Sequence, residues 1–204
     1  SEWHGRFFRF AASQPSALAN LAELRGQMSF DDEVTDQTLL RSLVRQGAVA
    51  TAYSLYQQIT GSDASDAAEA WSNDYPPFDW SLTDEAGLRA QPSLSGKELE
   101  ISVKPGKGGV VARRLVRAPE RPLSIIVKHS IVSQQALQDI DVVVKCAGQT
   151  SAILEANLVR QGNGYRIDNL PSDCAFIEIA IVARAWSGRS ALNENIETVD
   201  VVQR

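Results

Sequence analysis

Histidine and cysteine are scarce in this 204-residue chain, at two residues each, and methionine occurs once. No Cys-x-x-Cys pair of a redox or zinc site occurs, and the acidic residues follow no EF-hand spacing. No cofactor or metal is therefore expected. A surplus of basic residues is also missing: 20 Lys and Arg stand against 25 Asp and Glu, for a net charge of -5. Phosphate backbones and anionic membranes are bound by surplus positive charge, so a nucleic-acid partner is excluded. No run reaches the roughly 18 apolar residues needed to span a bilayer, and no signal peptide opens the chain. It starts at Ser1 without a Met, as expected of a processed form or a piece of a longer precursor.

What is present is a normal hydrophobic fraction of 44%, arranged with two different periods. From about Gln14 to Gly61 the period is helical. Leu18, Leu21 and Leu24 share a face after Ser13 or Ser16 as N-cap, and Gly26 stops the helix. A second helix is predicted after Thr35 with Leu39, Leu40, Leu43 and Val44, favoured at its start by Asp31, Asp32 and Glu33. A third carries Ala52, Tyr53, Leu55, Tyr56 and Ile59 up to Gly61. Helices two and three form an antiparallel hairpin around Gly47. Its small residues facing large ones give it a tetratricopeptide-like look, without a repeating period. A lone pair of this kind must dock on something.

Residues 62–77 shift to Ser, Asp, Ala and Asn and read as a linker containing Asp63, Asp66 and Asp74. Beyond it the period is two. Strands are predicted at 99–103, 110–116, 123–128, 140–146, 152–159, 165–167, 175–184 and 196–202. The expected fold is segregated α+β: a helical region over 1–61, the linker 62–77, and an antiparallel β-sandwich or jelly roll over 78–204.

The segment from Tyr75 through Phe78, Asp79, Trp80 and Gly87, with Leu99–Glu100–Ile101 after it, resembles a sandwich module found at the C-terminal end of some bacterial envelope tetratricopeptide-repeat proteins. In that family a Phe-Asp-Trp motif precedes a jelly roll related in shape to carbohydrate-binding modules. Val144–Lys145–Cys146 and the run from Leu170 to Ala175 are similar as well. The resemblance implies the fold. It implies no calcium site or sugar platform, because the family's Asn-Gly-(Gly or Asp)-Phe-Glu strand has no counterpart before Phe78.

Few residues carry chemistry. Cys146 and Cys174 are either a disulfide between adjacent strands, which would place the domain in the periplasm or outside the cell, or two buried thiols; the disulfide is preferred. His4 falls in an N-terminus read as frayed. His129 cannot act with Ser130, because neighbours on a strand face opposite ways. The glycine run at 105–110 lacks the order of a phosphate loop and is expected to be a hairpin turn. Arg113, Arg114, Arg117 and Arg121 read as a solvated strand face. Glu98, Glu100, Asp139 and Asp141, spaced by two, are the sole feature favouring a jelly-roll hydrolase or lyase. No catalytic residue is expected.

Trp71, Tyr75, Phe78 and Trp80 have two readings. They are exposed anchors for a sugar or a protein, or they close the sandwich and glue the helices to it. The expected function is a non-enzymatic binding or assembly module of a bacterial envelope, with another envelope protein or a subunit of a larger assembly as partner. Membrane contact would come only through a partner or a removed anchor. The alternative is a glycan-binding module. Exposed rings beside Asp, Asn or Arg would favour sugar, and a large apolar patch would favour protein.

Overall fold

The structure, a computed structural model, describes residues 2–11, 14–28, 32–61, 71–119, 122–160 and 164–203. The helical part contains α1 (Glu2–Ala11), α2 (Leu18–Gly26), α3 (Glu33–Arg45) and α4 (Val49–Thr60). The first lies where the sequence suggested a frayed end; the His4 side chain, Ser13 and Asp31 lie outside what is described. The third starts earlier than Thr35, because Asp32 caps it. Its carboxylate accepts the Thr35 N–H at 3.1 Å and the Thr35 hydroxyl at 2.7 Å, while Glu33 and Asp36 occupy the first turn and Arg45 the last. Gly47, at φ 80°, turns the chain from α3 into α4, and α4 ends at Gly61 in the left-handed conformation with its N–H on the Gln57 carbonyl. Between α2 and α3, Arg25 clasps Asp36 with two bonds of 2.6 and 2.7 Å in the interior of the bundle.

Eleven strands, all antiparallel, form two sheets among the described residues. The first sheet contains β1 (Ser81–Leu82), β5 (Lys107–Arg117), β10 (Phe176–Ala185), β7 (Ile140–Cys146) and β8 (Ala152–Asn157), in that spatial order. The second runs β2 (Asp84–Glu85), β3 (Leu88–Pro92), β4 (Leu99–Val103), β11 (Leu192–Gln203), β6 (Leu123–His129) and β9 (Tyr165–Ile167). A short helix, α5 (Gln134–Asp139), leads into β7. Alternation sorts the side chains: Ile177, Ile179, Ile181 and Ala183 of β10 point into the core with Ile140, Val142 and Val144 of β7. The chain is thus a helical segment followed by a β-sandwich. No helix among the described residues is long and apolar enough to cross a membrane.

The outer face of the first sheet organises the rest. At one end Phe176 and Leu115 point outward and join the helical core of Leu39, Leu43, Tyr53 and Tyr56. In the middle Lys145 pairs with Glu178 at 3.1 Å, and at the far end lie Val182 and Arg184. At about 3.3 Å per residue, the ten residues of β10 separate the helix dock from the far end by roughly 30 Å.

Cys146 closes β7 and Cys174 precedes β10, and the two strands pair with Ile177 opposite Cys146. The cysteines form a disulfide across 28 positions. Closing a loop of that length constrains the unfolded chain by about 3.5 kcal/mol. Replacing both cysteines with Ala is expected to lower the melting temperature by roughly 10 °C. Calorimetry checks this, and an unchanged melting temperature would show the bridge to be neutral.

Candidate functional site

The four aromatics singled out in the sequence sit together, but not at the surface. Trp71 and Trp80 are 2% exposed and Phe78 is fully enclosed; Tyr75 is half-buried against the helical core. Trp71 and Trp80 pack tilted against each other, 4.8 Å between ring centres, within the sandwich core, and the Trp71 indole donates to the Glu197 carbonyl at 3.0 Å. Phe78 faces the other way, 5.4 Å from Tyr53 and 5.2 Å from Tyr56 of α4. These rings form no open platform. Phe78 and Tyr75 join the helical core and Trp71 and Trp80 the sandwich core, because the chain turns through residues 76–79 around the buried Asp79 and so presents Phe78 and Trp80 to different sides.

Asp79 holds that seam. One carboxylate oxygen accepts the Tyr56 hydroxyl at 3.0 Å; the other accepts the Ser72 hydroxyl at 3.0 Å and the Tyr75 N–H at 2.9 Å. Nearby, Arg114 departs from the solvated basic face expected of it. Paired opposite Ile179, it points into the sandwich, with its guanidinium 4.8 Å from the Trp80 ring centre and a bond to the Val199 carbonyl. Burial pushes its pKa down, and the charges of Asp79, Asp200 and Tyr56 oppose that shift. Arg113 and Arg117 are exposed, and Arg121 lies outside the described residues.

An exposed ring stands at the other end of the first sheet. Trp186 directly follows β10 and is 53% exposed. Its parity matches Arg184, so it belongs to the outer face at the end away from the helices. The indole N–H donates to Asp139 Oδ1 at 2.9 Å, the Arg184 guanidinium lies 6.0 Å from the ring centre, and Arg189 reaches Asp139 at 3.6 Å. Arg184 also pairs with Asp141 on β7. Trp186, Asp139, Arg184 and Arg189, with Asn157 and Arg160, line a groove of about 450 Å³. A neighbouring hollow of about 360 Å³ shares Arg184 and Trp186 and is floored by Gly106, Gly108 and Gly109.

The glycine run therefore has a positional role that the sequence did not reveal. It is a tight turn, but it does not join paired strands: it crosses from β4 in the second sheet to β5 in the first. Gly108 passes so close to β10 that a Cβ there would stand 2.8 Å from the Arg184 Cβ and 3.2 Å from its Cα. That approach seats Arg184 beneath the turn leading to Trp186. The sequence signal for Trp186 was a Trp on the outward parity of a strand, followed at once by Ser187 and Gly188 and flanked by two arginines.

The remaining candidates are scattered. Glu100 accepts from Gln91 and Glu98 from Asn195 on the second sheet, whereas Asp139 ends a helix and serves the Trp186 groove. The ring of His129 has a buried Nδ1 without a hydrogen-bond partner. Among the described residues no group of His, Cys, Asp or Glu could hold a metal ion; Asp63 and Asp66 lie outside them. A larger groove of about 830 Å³ near Cys174 has no aromatic ring in its lining.

Two carboxyls carry a pH signature. Burial raises the pKa of Asp141, opposed by Arg184 and helped by Glu155 and Asp139; burial raises that of Glu194 too, opposed by His129. The folded state then binds these protons more readily than the unfolded chain. Their contribution is fully present below the ordinary carboxylate range and is lost as pH rises through the raised values. Melting curves between pH 7 and pH 4 are expected to show this gain on acidification for the native chain, reduced in the Asp141→Asn, Glu194→Gln double variant. An identical pH slope in the two proteins would refute it.

No family model matches the chain, and no curated protein matches it. Among solved structures, the carbohydrate-binding module TmCBM61 in complex with beta-1,4-galactotriose is similar, at 9% identity and a TM-score of 0.36, over 68% of this chain and 93% of that one. A superposition so loose transfers no contact. The groove itself has to carry the functional reading.

Proposed function

We propose that this chain is a non-catalytic glycan-binding module, with the Trp186 groove as its site and the helices as the part that joins it to a larger envelope assembly. One observation carries the reading: a half-exposed Trp, tied at its indole N–H to a buried carboxylate, stands beside Arg160, Arg184, Arg189 and Asn157 in a groove of ligand size. The apolar face of a sugar ring suits the indole, and its hydroxyls suit the flanking polar groups. The Asp139 bond fixes the ring before ligand arrives, which lowers the ordering cost of binding. A disulfide supports an oxidising location, periplasmic or extracellular. The scatter of the carboxylates over two sheets supports the absence of catalysis, since glycoside hydrolysis needs a facing pair.

Isothermal titration against a panel of neutral and acidic oligosaccharides tests the reading. Saturable binding with a Kd between about 10 μM and 1 mM is expected. No binding across the panel would end it. A protein partner is favoured on the helices instead, where Phe10, Leu24 and Val34 are open to solvent; this is where a tetratricopeptide-like neighbour would dock.

A further inference from the structure

We propose that the Trp186 groove selects acidic sugars, specifically a residue carrying a C6 carboxylate, an inference that rests on the glycan reading above. Three guanidinium groups line the groove, from Arg160, Arg184 and Arg189, against one lining carboxylate, Asp139. That carboxylate is turned inward. Its side chain is 8% exposed and is engaged by the Trp186 indole and by Arg189. The nearby carboxylate of Asp141 is 14% exposed and held by Arg184. What the groove offers to solvent is therefore cationic, on a chain whose net charge is -5.

The donors also have capacity to spare. Arg160 enters none of the ion pairs among the described residues. Arg189 is half-exposed and reaches Asp139 only at 3.6 Å, longer than a hydrogen bond. A guanidinium presents a planar fork that matches a carboxylate with two parallel bonds. A neutral sugar has nothing that uses this fork fully, whereas a uronic acid presents a flat apolar ring face for Trp186 and a carboxylate at its edge for an arginine. A purely acidic peptide would satisfy the arginines and leave the ring without a flat partner.

The test uses matched β-1,4-linked tetrasaccharides, one neutral and one oxidised at C6 to the uronate, titrated into the full chain at 50 mM and 300 mM salt. At low salt the oxidised form should bind about tenfold tighter, and the gap should shrink at high salt. The Arg160→Gln, Arg189→Gln double variant should bring the oxidised form's affinity down to that of its neutral twin. Arg160→Gln alone, which breaks no ion pair, should remove part of the preference. Arg89→Gln on β3 of the second sheet, outside the groove's lining, should leave it intact, and melting curves should show every variant folded. Equal affinity for the two sugars would overturn this inference and leave the glycan reading standing, as would a preference that survives the double variant. Binding of neither sugar would overturn both. A Glu-rich peptide that binds as tightly as the oxidised sugar would replace the acidic sugar with an acidic peptide.

Discussion

Asp79→Ala is expected to destabilise the fold by about 4 kcal/mol, lowering the melting temperature by roughly 10 °C. The carboxylate accepts three hydrogen bonds, from the Tyr56 and Ser72 hydroxyls and the Tyr75 N–H. The Tyr56 hydroxyl belongs to a side chain 1% exposed; an unsatisfied buried donor costs about 1–3 kcal/mol. Loss of the charge also weakens the support for Arg114, whose guanidinium is enclosed beside Trp80 with its Nε lacking a partner. Removing one member from a buried charged network leaves the other uncompensated, while replacing both with apolar groups is often tolerated. Arg114→Met should accordingly recover at least about 1 kcal/mol when added to Asp79→Ala, a non-additivity that urea unfolding of the double-mutant cycle can measure. Asp79→Asn, which keeps an acceptor but not the charge, should fall between. A loss below about 1 kcal/mol for Asp79→Ala, or strict additivity with Arg114→Met, would mean that the seam is held by ring packing alone.

The seam shows why the motif was legible as a motif but ambiguous in role. Phe78, Asp79 and Trp80 are conspicuous in sequence, and both readings of them begin from the same aromatic surface. Only tertiary structure separates the readings, because it decides whether helices cover that surface. The strand periods were readable where one face is apolar and the other polar, as in residues 140–146, with buried and half-buried positions alternating. They faded in β3, where Leu88 and Ala90 supply the buried face beside a terminal Pro92. Arg114 was misplaced for a simple physical reason. A charged residue in a strand is ordinarily outward, and its inward position here depends on Asp79 and Trp80, distant in sequence, offsetting part of its desolvation. The α1 helix is hard to read in the sequence because its ten residues mix aromatic and charged side chains with a glycine. Trp186 is inconspicuous in the sequence because it stands alone, outside the aromatic cluster of residues 71–80, and its signal is a single ring on outward parity at a turn.

Trp186→Ala is expected to lower oligosaccharide affinity by about 100-fold or more, because a stacking ring supplies much of the apolar contact available to a small polar ligand. Stability should change far less. The ring is half-exposed, and its buried obligation is the single bond to Asp139, which Arg189 continues to approach from the other oxygen. A loss of about 1 kcal/mol or less in urea unfolding is therefore expected. Trp186→Phe separates the two jobs of the indole. It keeps an aromatic face and gives up the bond that fixes it, so binding should weaken by an intermediate factor with a larger entropic penalty in calorimetry. Retention of near-native affinity in Trp186→Ala would remove the groove from consideration, whatever sugars the chain binds. The helices would not rescue the reading in that case, since they dock roughly 30 Å away along β10 and cover none of this end.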